Sequence, residues 1–180
     1  MPLLNSVTTP YAEALLQVVN ENDQTEDMVK EVKQLLTLIN DAPELEKTLS
    51  SPVLETETKK KIIIEIFSEK INSSFLNFLK LLADRQRIGI VTSILDRFLE
   101  IYRENSNIAL ATVTSAVELT DDQKGLITKK IINIAGTEKL ELVTKIDPSL
   151  IGGVVASVGS KVIDASLASQ IRKLGLSLSK

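Results

Sequence analysis

The side chains that could carry out chemistry are few in this sequence. The 180 residues include no histidine and no cysteine, which excludes an imidazole base, a thiol nucleophile and the commonest nitrogen and sulfur metal ligands. Carboxylates and lysines remain as candidates for acid–base work. The most prominent carboxylate pair, Asp121-Asp122, follows Thr120 at a predicted helix start, where acidic groups stabilise the helix dipole. We therefore expect no catalytic residue, no cofactor and no metal site.

A glycine-rich segment near the C-terminus invites comparison with a phosphate-binding loop. That motif has a Gly, four further residues, and then Gly-Lys followed by Ser or Thr. Here five residues separate Gly153 from Gly159, and the next two residues are Ser160 and Lys161 in that order. The lysine is misplaced for contact with phosphates, so the segment predicts no nucleotide site.

The composition is that of a globular protein without a nucleic-acid partner. Hydrophobic residues make up 43% of the chain and aromatic residues only 3%, so the cores are expected to consist of Leu, Ile, Val and Ala. The net charge of −3 argues against nucleic-acid binding. The sequence has no apolar run of the roughly 18 residues that a membrane span needs, and its first twelve residues lack the basic region of a secretory signal. We expect a soluble protein of the compartment where it is made, or a mature form that has already been trimmed.

Helical periodicity dominates the first hundred residues. Thr8 or Thr9 is expected to cap the first helix, with Pro10 in its first turn, and Asp41 to cap the third. Six short helices are predicted: from Pro10 onward, then about 25–39, 43–50, 57–67, 73–83 and 88–103. Short links between them indicate a helical bundle.

The pattern changes after the polar segment Glu104–Asn107, so we predict two domains, 1–105 and 106–180. Ile108–Ala116 is rich in β-branched residues and predicts a strand, and Thr120-Asp121-Asp122-Gln123 predicts a helix that begins with a capping box. Lys139–Ile146 alternates between apolar and polar residues, as a half-buried strand does. The chain is therefore predicted to be α+β, with an N-terminal six-helix bundle followed by a small C-terminal α/β domain.

The last part of the chain predicts a hairpin and a helix. Asp147-Pro148 opens a turn, Val154–Val158 reads as a buried strand, and Gly159-Ser160 fits a two-residue hairpin turn. The adjacent Gly152 and Gly153 indicate positive φ or close backbone approach. The final helix carries an apolar stripe, whose simplest use is to pack on the sheet: Leu167, Ile171, Leu174 and Leu178.

This C-terminal segment resembles the signature of the delta subunit of F-type ATP synthases, the family of the mitochondrial oligomycin-sensitivity-conferring protein. The matching residues are Asp147, Pro148, Ser149, Leu150, Ile151, Gly152, Gly153, Gly159, Val162, Ile163 and Asp164. Ser157 and Ala165 depart from the residues that the family often has there. The segments Tyr11–Leu15 and Ala83–Arg87 also resemble the family, so the resemblance covers nearly the whole chain.

The resemblance implies a non-catalytic stator subunit of a rotary ATP synthase, present in one copy. Such a subunit links the alpha–beta catalytic head to the b-type subunits of the peripheral stalk and prevents co-rotation during proton-driven ATP synthesis. It implies a peripheral position on the cytoplasmic or stromal side of a plasma membrane or thylakoid. It also implies that the bundle binds the N-terminal helix of an alpha subunit through its first and fifth helices, and that the C-terminal domain binds the stalk.

The fifth helix is apolar on nearly every side, which is typical either of a central helix or of one completed by a partner. The candidate contacts to the alpha subunit are Tyr11, Ala14, Leu15, Val18, Leu76, Leu79 and Lys80. The candidate contacts to the stalk are Leu167, Ile171, Leu174 and Leu178. A structural role is expected for Asp147, Pro148, Gly152, Gly153, Gly159 and Asp164.

Two other functions are compatible with the residues alone. A two-domain adaptor or regulatory protein unrelated to ATP synthase would use the same apolar groove for another partner. A small carboxylate-based enzyme would require a pocket that contains acids with shifted pKa values.

Overall fold

The chain combines helices in its first part with a sheet in its second. The structure, a computed structural model, describes residues 2–22, 24–137 and 139–178, and residues 2–4, 135 and 173–178 by their backbone alone. Two compact units, Met1–Tyr102 and Arg103–Lys180, make up the chain. Helices precede the first strand and a mixed four-stranded sheet follows, which confirms the predicted α+β class.

The first unit is built from helices whose apolar residues recur at helical spacing. The helices of the described residues are α1 (Pro2–Glu21), α2 (Thr25–Asp41), α3 (Pro43–Ser50), α4 (Thr56–Phe67), α5 (Ser73–Asp84) and α6 (Val91–Asn105). A 3₁₀ turn, Ile88–Ile90, leads into α6. On α2 the buried residues include Val32, Leu35 and Ile39, which share one side of the helix.

The core of this unit is a single cluster that draws on all these helices. Phe75 and Leu82 on α5 and Ile94 and Phe98 on α6 are fully buried in it. Burying each such side chain stabilises the fold by roughly 1.5–3 kcal/mol relative to exposure. The amphipathic pattern of the helices is therefore explained by packing around α5 and α6.

Two predicted helix starts are wrong. α1 begins at Pro2, where the missing N–H of proline costs nothing, and Pro10 lies inside the helix. Thr8 is buried, and Thr9 accepts a 3.3 Å hydrogen bond from Arg97 Nε on α6, so neither residue caps the helix. Tertiary packing here outweighs the helix bond that Pro10 cannot make.

The second wrong start concerns α3. Asp41 is the last residue of α2, because the Ala42 N–H still donates to Leu38 and Ile39. Ala42 alone separates the two helices, and its carbonyl accepts from Leu45 N at 2.9 Å. The chain therefore has no room for an acidic cap, and Pro43 begins α3 directly.

The second unit is a sheet in the order β2-β1-β3-β4. Its strands are β1 (Ile108–Ser115), β2 (Lys139–Ile146), β3 (Val154–Val158) and β4 (Lys161–Asp164). β1 and β2 are parallel and are joined by α7 (Asp121–Ala135), whereas β3 pairs antiparallel with both β1 and β4. α8 (Leu167–Leu178) follows β4.

Local signals position these elements as predicted. Thr120 and Gln123 form the capping box of α7, with hydrogen bonds of 3.4 and 3.0 Å, and Gly136 ends the helix at φ 70°. Gly159, at φ 55°, turns the β3–β4 hairpin. These bonds and turns confirm the predicted capping box and hairpin.

One face of the sheet carries the core of the second unit. Ala111, Val113 and Ala156 on the strands pack with Ile131 of α7. The register aligns Ala111 with Leu142, which is only partly buried. Leu110, Val143 and Val162 lie on the opposite face and are exposed.

Candidate partner-binding surfaces

The candidate contacts on α1 divide between its inner and outer sides. Leu15 is only 3% exposed and belongs to the core of the first unit. Ala14 and Val18, one turn apart, are exposed, Val18 by 46%, and Tyr11 is partly buried. Because Leu15 has almost no free surface, we assign it to the core. Ala14 and Val18 are therefore the members of this candidate set on α1 whose side chains lie open to a partner.

The same division occurs on α5. Leu79 is 2% exposed and lies in the core, so it is not available to a partner. Leu76 and Lys80 are partly exposed. Sequence reasoning missed Leu81, which is 45% exposed, because an all-round apolar helix gives no sign of which side faces inward.

Exposed apolar residues occur on both α5 and α4, two helices that pack against each other. Lys60 on α4 forms an ion pair with Asp84 on α5, across the contact between the two helices. Ile64 lies one turn after Lys60 and is also exposed. Hydrogen bonds to Asp84 and then to Glu57 raise the pKa of Lys60 above 10.5, so this lysine is charged at neutral pH.

The outer side of α1 is acidic as well as apolar. The first 29 residues of the chain contain no lysine or arginine. Glu13, Gln17 and Glu21 are exposed, and Gln17 Nε2 donates to Glu21 at 3.2 Å. A partner that binds across Ala14 and Val18 therefore meets negative charge on the same helix.

The apolar stripe of α8 is exposed where the structure describes its side chains. Leu167 and Ile171 are 45% and 62% exposed. Neither belongs to the core cluster of the sheet. Packing on the sheet is therefore not the use of these two residues, and Leu174 and Leu178 lie outside the residues with described side chains.

The loop between β2 and β3 contains most of the signature residues. The Asp147 side chain accepts a hydrogen bond from Ser149 N at 2.9 Å. Interaction with the Ser149 side chain, and then this backbone bond, lowers the pKa of Asp147 below its ordinary value of 3.8. Pro148 begins a 3₁₀ turn that ends at Leu150. Asp147 and Pro148 thus fix the direction in which the chain leaves β2.

A tight turn follows at Ile151. Its φ of 63° and ψ of −38°, with a 2.6 Å hydrogen bond from Gly152 N to Leu150 O, define a γ-turn with a positive φ. This kind of γ-turn is rare and strained, and a β-branched residue at its centre is an outlier. The strain costs about 1–3 kcal/mol. Sequence reasoning missed it, since isoleucine does not predict positive φ.

The two glycines that follow allow this loop to pack against the start of α8. Gly153 has a φ of 77°, and a Cβ there would collide with the backbone oxygen of Ala165. At Gly152 an added Cβ would lie 2.7 Å from Leu167 Cδ1. Gly152 O also accepts a 3.0 Å hydrogen bond from Leu167 N. Gly153 is thus a packing requirement of the loop, whereas at Gly152 the neighbouring atom is the end of a side chain.

Asp164 completes the same junction. Its Oδ1 accepts from Ser166 N at 2.9 Å, and Ser166 Oγ in turn accepts from Ser169 N at 3.2 Å in the first turn of α8. The signature residues therefore connect the sheet, the loop and α8 by local hydrogen bonds and close packing.

The model of the ATP synthase delta (OSCP) subunit family matches residues 7–178. The chain belongs to this family. It is 96% identical over 180 residues to ATP synthase subunit delta of Prochlorococcus marinus subsp. pastoris, each chain being covered completely. It is 56% identical to the same subunit of strain MIT 9303, covering all of this chain and 99% of the relative.

The fold agrees with this assignment. A chain in the mitochondrial ATP synthase hexamer of Toxoplasma gondii superposes with a TM-score of 0.73 at 18% identity, over 96% of this chain and 97% of that one. As a delta-family subunit, this chain is a non-catalytic component of the peripheral stalk of ATP synthase. Among the described residues, no helix has both the length and the apolar character that crossing a membrane requires.

Proposed function

We propose that this delta-family subunit joins the catalytic head of the ATP synthase to its stalk through two separate surfaces. Residues 1–105 bind the N-terminal helix of an alpha subunit, and residues 106–180 bind the b-type stalk subunits. Family membership over residues 7–178 is the observation that carries this proposal. One copy acts in each complex, on the cytoplasmic or stromal side of a plasma membrane or thylakoid.

The physical task is to resist torque. A head that turns with the rotor makes no ATP, so the stator must hold it at one end and the stalk at the other. Exposed apolar side chains on α1 and α5 and on α8 give each unit a surface on which a helix can dock. Interfaces of ordinary size, roughly 800 Å² per partner, are large enough for a stable joint.

The head-binding surface consists of the outward residues of α1 and α5. We propose as its contacts Tyr11, Ala14, Val18, Leu76, Lys80 and Leu81. The buried Leu15 and Leu79 support it from beneath. A variant such as Leu79→Glu is not informative about binding, because it places a charge in the core and destabilises the bundle.

The test is a calorimetric titration of the full chain with a peptide of the alpha subunit's N-terminal helix. Val18→Glu puts an unpaired charge into the proposed contact, so we expect binding at least about tenfold weaker, equivalent to roughly 1.4 kcal/mol. The fold should survive, because Val18 is exposed.

Val53→Glu is the matched control. Val53 is also an exposed valine, but it lies between α3 and α4, outside the proposed contact. Its variant should bind the peptide as the unaltered chain does. If the unaltered chain does not bind the peptide, the result argues against the head-linking function. If Val18→Glu binds the peptide as tightly as Val53→Glu does, the result argues against this location of the surface.

A further inference from the structure

β2 is an edge strand without the features that usually prevent edge strands from pairing. It is the outermost strand of the described sheet, and it pairs with β1 along all eight of its residues, with no proline, glycine or bulge. The other edge strand, β4, has only four residues. A long, regular edge strand offers its backbone N–H and C=O groups to a further strand. β2 is therefore the edge of this sheet that is open to strand addition.

The charged side chains of this edge follow a regular pattern. Lys139, Glu141 and Lys145 alternate with the residues that pack toward α7, so they lie on the face of the sheet away from that helix. Asp147 follows the strand, and its N–H still donates to Ser115 O on β1 at 2.8 Å. Along the edge, every second residue thus reads positive, negative, uncharged, positive and negative. Charges on an edge strand normally oppose pairing, but this order does not oppose pairing with itself.

The pattern complements itself when two copies of the edge run antiparallel. With Val143 opposite the same valine of a second copy, Lys139 lies opposite Asp147 and Glu141 lies opposite Lys145. Each of these pairs occurs twice, because a twofold axis relates the two copies. Opposite charges placed directly across two strands stabilise the pairing.

The other face of the strand matches in the same register. Leu140 lies opposite Ile146 of the second copy, and Leu142 lies opposite Thr144. Ile146 is 61% exposed, since at the edge of the sheet it has a neighbouring strand on one side only. Pairing covers it with a leucine, because side chains directly opposite on antiparallel strands have Cβ atoms about 5 Å apart.

Neighbouring registers lack this match. A shift of one residue places Lys139 opposite Ile146. A shift of two residues places Lys139 opposite Lys145 in one direction, and Glu141 opposite Asp147 in the other. Like charges directly opposite each other are destabilising, so the register centred on Val143 is favoured over those beside it.

We propose that two copies of the free subunit pair through β2 to form one continuous antiparallel sheet, with Val143 at the twofold axis. The inference goes beyond the proposed function and does not depend on it. One copy acts in each complex in that function, so the pair is a state of the chain outside the synthase. Glu141 also accepts a 3.2 Å hydrogen bond from Arg103, and a carboxylate has room to accept from a lysine of the second copy as well. Exposed ion pairs add little affinity, so the charges chiefly select the register, and backbone bonds and apolar contacts hold the pair.

A single cysteine tests the register, because the chain has none of its own. In Val143→Cys the two thiols face each other across the axis, at a Cα separation of about 4.5–5.5 Å, which suits a disulfide. Under mild oxidation of the full chain, we expect the linked dimer to form at least about tenfold faster than in Val162→Cys. Val162 is the matched control, because it is an exposed valine in the same cross-strand row of the sheet, on β4. The melting temperatures of the reduced variants check that both fold.

Sedimentation equilibrium of the full chain tests the pairing itself. The average mass should rise toward that of a dimer between about 1 and 500 µM, since association follows mass action. Lys145→Glu places like charges opposite Glu141 twice, so we expect its dimer to dissociate at least about tenfold more readily. Lys61→Glu is the matched control, because it changes the charge equally at an exposed lysine of α4.

The outcomes separate this inference from the proposed function. A chain that stays monomeric over this range overturns the inference, and the proposed function stands. A dimer in which Val143→Cys is oxidised no faster than Val162→Cys also overturns it, because the copies then meet through another surface. The same holds if Lys145→Glu associates as tightly as Lys61→Glu. Binding of the head peptide enters neither readout, so its failure would count against the proposed function alone.

Discussion

At the residue scale, the signature of this family describes a packing junction. Sequence reasoning expected positive φ or close approach at the glycine pair, and the structure assigns both to Gly153 rather than to Gly152. Gly152 instead meets the Leu167 side chain, which can shift. The sequence could not distinguish the two, because the requirement comes from Ala165, which is distant along the chain.

Gly153→Ala should therefore destabilise the second unit. Alanine at φ 77° is strained, and its Cβ would collide with the Ala165 backbone, so we expect a loss of about 2 kcal/mol or more. Denaturant unfolding measures it. Gly125→Ala is the control of opposite sign, since a Cβ there meets nothing within 4 Å inside α7 and should stabilise by about 1 kcal/mol. Equal stability of the two variants would contradict the collision.

The interaction of Asp147 with the side chain and the backbone N–H of Ser149 predicts a dependence of stability on pH. Because these hydrogen bonds lower the pKa of the folded carboxylate, their stabilisation is present above the unfolded pKa and is lost as pH falls through the folded pKa. Asp147→Ala should lower the melting temperature at pH 7 and have less effect at pH values below 3.8, the ordinary pKa of this carboxyl group.

Asp147→Asn serves as the control for that measurement, since an amide oxygen still accepts the bond but does not titrate in this range. Its effect should be small and independent of pH. We would then compare the melting temperatures of Asp147→Ala and of the unaltered chain at pH 7 and at pH 2.5. An equal difference at both pH values would show that the charge of Asp147 is not involved.

At the element scale, the sequence predicted the helices and strands well and their outward sides poorly. β2, α7 and the β3–β4 hairpin follow from alternation, a capping box and a glycine turn, all of which are local signals. The start of α1 was wrong because the buried Thr8 and the bond to Thr9 from α6 are tertiary contacts. The same limit explains Leu79, whose burial depends on how neighbouring helices pack.

The charge of α1 predicts a salt-dependent head contact. Exposed Glu13 and Glu21, with no basic residue in the first 29, favour a basic helix, and such attraction weakens as salt shortens the Debye length to about 8 Å at 0.15 M. The double variant Glu13→Gln, Glu21→Gln should bind the alpha-subunit peptide several-fold more weakly at low salt and equally well at 0.5 M.

Glu44→Gln with Glu46→Gln is the control for this effect. Both residues are exposed on α3, so the net charge changes by the same amount away from the proposed contact. If this pair weakens binding as much as the α1 pair, the attraction reflects overall charge and not the surface of α1.

At the scale of the whole molecule, the two units have opposite electrostatic character at their proposed binding helices. The chain begins with acidic residues alone and ends with basic residues alone, although its net charge is only −3. The acidic surface of α1 therefore repels an acidic helix, and the basic surface of α8 repels a basic one, because contact between like charges is unfavourable. We therefore expect this asymmetry to keep the proposed head helix and the proposed stalk helix from exchanging sites.

A joint with two contacts in series fails when either contact fails, which predicts how variants combine. Val18→Glu should weaken binding of the head peptide and leave binding of the b-type subunits unchanged, and Ile171→Glu should do the reverse.

In synthase reconstituted into vesicles, each variant should lower proton-driven ATP synthesis, while the head continues to hydrolyse ATP. The rate of ATP synthesis in the double variant should be only slightly lower than in the less active single variant, because a released head transmits no torque through the remaining contact. Synthesis that falls in the double variant by the product of the two single effects would show that the surfaces do not act in series.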